Sequence, residues 1–303
     1  MDSPLLTPAV PKSEIPILNS YYLNVCPASS DPTMVWGTEV DTNCLIDYLR
    51  QRNAVSPVLM TGAHVLLKAV AEALVRHPQF NSRVLGRRLY RFKDVNLMMP
   101  LQNRLRDEAD VLLINKADSF SVQEIASQVW KQSRNAARGE VLHHKQAKIY
   151  RRIPGWLLGW MLRLQLWITN HLNLPVNSIN EQLRAAPVLV NYLAYHGAAP
   201  MSSFKPSCIP SDCWTLNVTM GSSEPRPVAD GNRVAVSSVA SLFVRADHRV
   251  VDAYELGKFV TELRTLLSDP WKMEAEIKWS KKEDAYVSDL YQTADGQYCP
   301  LPR

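Results

Sequence analysis

A chain of 303 residues, 46% hydrophobic and 21% charged, can bury a substantial core and is neither disordered nor fibrous. The formal charge of +5 is modest and its basic residues are scattered, apart from "RLYRFK" and "YRR", so nucleic-acid binding is set aside. The same balance suits an anionic small molecule such as a nucleotide-linked acyl carrier.

The opening "MDSPLLTPAVPKSEIPILNS" lacks a basic region followed by an apolar one, so no secretory signal is expected and a cytoplasmic location is. Residues 1–32 hold six prolines and read as an N-terminal extension or wrapping arm. Five cysteines (Cys26, Cys44, Cys208, Cys213 and Cys299), odd in number and irregular in spacing, read as free thiols of a reducing compartment. Cys208 and Cys213 lack the close pairing of a zinc site, and no metal is expected.

"MVWGTEVD" predicts a strand ending at Asp41, which can cap a helix through "CLIDYLRQR". "GAHVLLKAVAEALVRH" predicts a second helix, with Leu66, Leu67, Val70, Ala71, Leu74 and Val75 along one side and Pro78 as its stop. "RLYRFKDVNLMMP" and "ADVLLINKA" read as strands. "SVQEIASQVWKQSRNAAR" reads as a helix opened by a capping box of Ser121 with Glu124.

The stretch 153–174, "IPGWLLGWMLRLQLWITNHLNL", lines Trp156, Trp160, Met161, Leu164, Trp167 and Ile168 along one helical stripe. Leu157, Leu158, Leu162 and Leu166 make the rest apolar too. Arg163, Gln165 and Asn170 argue against a spanning segment, which needs about 20 mostly uncharged residues. The stretch reads as a buried or intersubunit helix, with an interfacial helix in peripheral membrane contact, or a lid, as the alternative.

"APVLVNYLAYHG" and "CWTLNVTMG" then read as strands. "RVAVSSVASLFVRAD" is a longer one, placing Val234, Val236, Ala240, Leu242, Val244 and Ala246 on one face. A helix from Ala253 turns Leu256, Phe259, Val260, Leu263 and Leu267 inward and ends near Pro270. Residues 271–303 form a charged tail. Strands and helices interspersed without β-α-β alternation predict an α+β layered domain.

Between that last strand and helix stands "ADHRVVDAYEL". Asp252, with Glu255 three residues on, has the pattern of a helix cap. His248 ends a half-buried strand where packing does not require it. A neutral imidazole, with its ordinary pKa of about 6.5, can take the proton of a thiol whose own pKa is about 8.5. Such a pair would yield a thiolate for attack on an acyl carbonyl, and an oxyanion donor would have to come from elsewhere in the chain or oligomer. On residue types alone, a structural cap and a catalytic base both remain open.

"DHRVVDA" followed by "YELGKFVTELRTLLSDP" closely resembles the end of the catalytic domain of the dihydrolipoyl acyltransferases of 2-oxo acid dehydrogenase complexes. "WGTEVDTNCLIDYLRQRN", "HVLLKAVAEALVRHPQFNSRV", "YRFKDVNLMMPLQ" and "INKADSFSVQEIASQV" resemble earlier segments of the same domain, in order. The likeness spans about 34–136 and 186–270. Chloramphenicol acetyltransferase shares the fold but carries HHxxxDG, and "DHRVVDA" is similar to the lipoyl branch. The resemblance implies a mixed sheet covered by helices, forming a homotrimer with active sites between subunits. It implies catalytic roles for His248, the base on a thiol of coenzyme A or dihydrolipoamide, and for Asp252, which orders the histidine loop through an ionic contact.

Departures from the pattern are specific. The family's oxyanion-binding serine, in an F-T-I-S-x-L-G stretch, is matched by "VLVNYLA". That places Asn191 in the role, with Tyr192 as a lesser candidate. Ala253 stands where the family has glycine, and the arginine-rich opening that supplies the aspartate's partner is missing. No lipoyl domain is recognised and "INKADS" lies inside the catalytic match, so no lipoyl group is expected on this chain.

The expectation is therefore an acyltransferase-like catalytic domain over 33–270 with a Trp-rich apolar insert near 140–185. It would use acyl-coenzyme A as co-substrate and a thiol or other small acceptor, with a carrier protein bearing a lipoyl or pantetheine arm as a partner. The competing reading is a catalytically inactive scaffold that keeps the trimeric fold.

Overall fold

The computed structural model describes residues 8–14, 33–85, 87–103, 108–138, 153–172, 185–194 and 214–274. In chain order the strands are β1 (Thr33–Asp41), β2 (Ser82–Leu85), β3 (Arg88–Arg91), β4 (Leu97–Asn103), β5 (Glu108–Ile114), β6 (Val188–Tyr192), β7 (Leu216–Met220), β8 (Glu224–Asp230) and β9 (Arg233–Asp247). The helices are α1 (Asn43–Val55), α2 (Gly62–Arg76), α3 (Val122–Ala137), α4 (Gly155–Leu172) and α5 (Ala253–Ser268).

The main sheet runs β1-β9-β7-β6-β4-β5, with β8 on the free half of β9, while β2 and β3 form a separate ribbon. Pairing is parallel at β4–β6 and β6–β7 and antiparallel elsewhere, so the sheet is mixed. The parallel β4–β6 ladder covers only Leu97 and Met98 of β4. Pro100, lacking an N–H, follows two residues later and keeps its place in the pairing with the edge strand β5. One continuous core joins the inner face of this sheet to α1, α2, α3 and α5. The layered α+β architecture matches the sequence reading.

Helix α2 is the centre of that core. Its apolar residues go almost all round, and Leu66, Leu67, Val70, Ala71 and Leu74 are buried as expected. Val75 is not: it is 50% exposed, because the last turn emerges from the core before Pro78. A helix this enclosed must also enclose Lys68, whose ammonium donates to the Asp118 carbonyl at 2.8 Å and pairs with Glu72 at 2.6 Å.

The start of α2 is a capping box in which His64 takes the place usual for Glu, its Nδ1 accepting the Thr61 N–H at 3.0 Å. Burial pushes the His64 pKa down to about 4. Because the unfolded chain binds this proton near pH 6.5, folding stability is full above that value and declines as pH falls toward 4. On the order of 3 kcal/mol is at stake. His64→Gln should flatten this part of the stability–pH curve, measured by urea unfolding between pH 4 and 7.

Other caps differ in detail from expectation. Ser121 and Glu124 form the predicted reciprocal box at α3. At α1 the capping residue is Thr42, whose hydroxyl instead bonds Ser223 and the Ser238 carbonyl. Asp41 still contributes by accepting the Asn43 N–H at 2.9 Å.

Pro225 and Pro227 interrupt any alternating pattern over 224–230. The structure puts the edge strand β8 there, a position that tolerates proline. The β8–β9 hairpin closes through Gly231 at φ +59°, in an Asp-Gly-Asn turn. Val234 and Val236, expected on the buried face of β9, are 78% and 76% exposed; Ala240, Leu242, Val244 and Ala246 are fully buried. Only the second half of the strand has helices over it.

The described part of the N-terminal extension lies along the β2–β3 ribbon, with Val10 N–H bonded to the Leu89 carbonyl. At the other end, Trp271 packs edge-on against Tyr48 at 4.9 Å, with the Arg52 guanidinium over its ring, and Glu274 accepts from the Tyr48 hydroxyl. Cys44 is disulfide-bonded, which corrects the expectation of free thiols. The other four cysteines, and so its partner, lie outside the described residues. Spacing along the chain cannot reveal a pairing that depends on spatial proximity.

Candidate active site at the turn between β9 and α5

Strand β9 ends at Asp247, whose N–H reaches the Thr215 carbonyl just before β7 at 2.9 Å. The Asp247 carboxylate accepts the Arg249 backbone N–H at 2.9 Å. It also takes a forked contact from the Arg249 guanidinium, at 3.0 Å from Nε and 2.7 Å from Nη2. Both side chains are mostly buried, so the pair is shielded from solvent and fixes the turn on either side of position 248.

His248 is half-buried in that turn, with Nδ1 3.0 Å from the Val251 carbonyl. A carbonyl only accepts, so Nδ1 carries the proton and the basic lone pair of the neutral ring lies on Nε2. The backbone of the motif therefore selects the tautomer.

Asp252 caps α5. Its backbone is extended (φ −93°, ψ 176°), and its carboxylate accepts the Glu255 N–H at 2.8 Å. Glu255 does not return the bond in the manner of a full capping box; its carboxylate takes Gln79 and Lys258 instead. Among the described residues Asp252 makes no ion pair, and the ionic contact that braces the loop is Asp247–Arg249. Asp252→Ala should cost about 1 kcal/mol in thermal or denaturant unfolding through the lost cap. The acyl-transfer rate should fall further than stability alone explains, because Val251, the anchor of His248, directly precedes the cap.

Ala253 is the first residue of α5 and does not have a positive φ, so its methyl group is accommodated without strain.

Asn191 sits near the end of β6, opposite Thr219 of β7. Its Nδ2 donates to Asn217 Oδ1 at 2.7 Å and to Thr219 Oγ1 at 3.2 Å, so both amide protons are engaged. Thr219 Oγ1 also lies 3.2 Å from Asn217 Oδ1, which closes a triangle. Among the described residues the buried Nδ2 of Asn217 has no hydrogen-bond partner. Next to Asn191, Tyr192 points its hydroxyl at the start of α2, where a side chain at Gly62 would collide with it. Burial raises the Tyr192 pKa.

A single chain brings His248 and Asp252 together but not Asn191. His248 follows the residue bonded to Thr215, while Asn191 is level with Thr219. Four residues along β7 separate their backbone positions by about 13 Å, and the Asn191 amide is turned to Asn217 and Thr219. A cavity of about 600 Å³ lies elsewhere, between the α1–α2 connection and α3, lined by Leu59, Trp130, Lys131 and Arg134 among others. None of the three site residues lines it. Among the described residues no cluster of three or more side chains suits a metal ion.

The family model for the 2-oxoacid dehydrogenases acyltransferase (catalytic domain) matches residues 27–148 and 197–275, about two-thirds of the chain. The chain belongs to this acyltransferase family. No curated protein matches it. Among solved structures, the acyltransferase is similar to a probable dihydrolipoamide acetyltransferase from Listeria monocytogenes 4b F2365. The two are 21% identical with a TM-score of 0.57, and the match covers 88% of this chain and 92% of that one. It is also similar to the dihydrolipoamide acetyltransferase of Azotobacter vinelandii, with 19% identity, a TM-score of 0.59 and coverage of 86% and 93%. A truncated catalytic core of the 2-oxoacid dehydrogenase multienzyme complex from Thermoplasma acidophilum matches at 17% identity and TM-score 0.55, covering 82% and 93%. At these identities the likeness establishes the fold of the acyltransferase.

His248 and Asp252 lie within the family match, whereas Asn191 and helix α4 fall between its two parts. Sequence reasoning missed Asp247–Arg249 as the brace, the Val251 carbonyl as the tautomer anchor, and the Asn217–Thr219 platform beneath Asn191. Two of these had a signal. Oppositely charged residues flank the histidine, and "LNVTM" alternates polar residues within a strand buried throughout.

Proposed function

We propose that the chain moves acyl groups between coenzyme A and a thiol of the dihydrolipoamide kind, or another small acceptor, with His248 Nε2 as the general base. The observation that carries this is the Nδ1–H to Val251 carbonyl bond, in a turn braced by Asp247–Arg249 and capped by Asp252. With Nδ1 donating, the lone pair of the neutral ring lies on Nε2 in a fixed orientation. Nε2 takes the thiol proton, the thiolate adds to the thioester carbonyl, and a tetrahedral oxyanion forms. Collapse expels the second thiol as thiolate, which recovers the proton from the imidazolium, so the base is regenerated.

Asn191 is assigned the oxyanion, supplied across a subunit boundary of a homotrimer. The separation of the two residues on one chain supports that placement. Donation requires Asn191 and Asn217 to turn their amides over together. Asn217 Nδ2 then donates to Asn191 Oδ1 and to Thr219, the orphaned buried N–H group gains partners, and Asn191 Nδ2 is released. A carrier protein bearing a lipoyl or pantetheine arm is the expected source or recipient of the acyl group.

The engagement of both Asn191 protons favours a second reading, an inactive scaffold that keeps the fold. A panel of acyl-coenzyme A donors with dihydrolipoamide as acceptor separates the two. Thioester exchange above background supports the enzyme; coenzyme A binding without turnover supports the scaffold.

A further inference from the structure

Helix α4 lies between the two stretches matched by the family model. It carries a ridge of exposed apolar side chains: Trp156 is 77% exposed, Trp160 61% and Trp167 51%. At 100° per residue these three indoles fall within about 40° of one another. Leu164 widens the ridge on one side and Arg163 borders it on the other, both exposed. Leu158 and Gln165, on the opposite side, are less exposed. A surface this apolar facing water marks an interaction site.

Charge identifies the partner. Residues 141–180 contain Lys145, Lys148, Arg151, Arg152 and Arg163 and neither Asp nor Glu. Their sum equals the formal +5 of the entire chain. Arg163, the one charged residue of the helix, borders the ridge, so a second copy brought against this face would meet no carboxylate on it. Tryptophan rather than leucine dominates the ridge, and indoles favour the headgroup level of a bilayer. Spanning is ruled out for this segment, since among the described residues no helix is long and apolar enough to cross a membrane.

We propose that α4 is an interfacial anchor. It lies in the plane of an anionic bilayer with its tryptophan ridge among the headgroups and Arg163 against lipid phosphates. The anchor is separate from the acyl-transfer chemistry, and its test is independent of it.

The test is co-sedimentation of the full chain with vesicles of phosphatidylcholine alone and of phosphatidylcholine with phosphatidylserine. The wild-type chain should partition onto the anionic vesicles, with a blue shift of tryptophan fluorescence, and release as salt is raised. The triple variant W156A/W160A/W167A should lose at least about tenfold in partitioning, and R163E a smaller factor, with circular dichroism unchanged. Binding that is equal in the triple variant, or equal on neutral and anionic vesicles, would overturn the proposal. So would absence of vesicle binding together with a change of oligomeric state in the triple variant, which would make the ridge a contact between copies. Vesicle binding by a chain without acyl-transfer activity would uphold the anchor and count only against the catalytic reading.

Discussion

Replacing His248 with alanine should lower the rate of acyl transfer by about 10²–10⁴-fold while the oligomeric state and melting temperature stay close to wild type. The size follows from the role: without Nε2 there is no positioned base to generate the thiolate, and a thiol at neutral pH is mostly protonated. Stability should be spared because the turn is held by Asp247 with Arg249 and by the Asp252 cap, none of which uses the imidazole. His248→Gln is a sharper variant. Its amide can keep the contact to the Val251 carbonyl but offers no basic nitrogen, so it should be as inactive as alanine. Stopped-flow or thiol-release assays with saturating acyl-coenzyme A measure the effect. A rise in KM with kcat unchanged, read by varying acyl-coenzyme A, would identify His248 as a binding residue.

The second large effect is expected at Asn191. Loss of one oxyanion donor typically costs about 10²–10³ in kcat, and Asn191→Ala should fall in that range with little change in KM. Asn191→Ser restores the residue that the family resemblance assigns to this position and should recover much of the lost rate. The serine hydroxyl can donate without competing for Asn217 in the way the amide does. Full activity in Asn191→Ala would remove the residue from the mechanism and leave the Asn191–Asn217–Thr219 triangle as a strand-locking network.

Local patterns carried much of the fold. The Ser121 to Glu124 spacing, the apolar run of α2 and the alternation along the buried half of β9 each depend on neighbours within a few residues, so periodicity exposes them. What periodicity could not supply is set by distant parts of the chain. Whether Val234 and Val236 are covered depends on where the helices end. Gln79, 176 residues away, takes the Glu255 carboxylate that would have completed the cap. At the site, residue types singled out His248 and Asp252. The bond that fixes the imidazole is to a main-chain carbonyl, which has no sequence signature. Asn191 was placed by resemblance, and its engagement with two residues of β7 depends on a parallel pairing that only the folded sheet defines.

Complementation tests the central claim most directly. Two inactive chains, one His248→Ala and one Asn191→Ala, are co-expressed with different tags, and hetero-oligomers carrying both are purified. If each site takes His248 from one subunit and Asn191 from its neighbour, every mixed trimer has one of its three sites with both residues intact, so the purified hetero-oligomers should regain about a third of wild-type activity. Hetero-oligomers that form but stay as inactive as either parent would contradict a shared site between subunits.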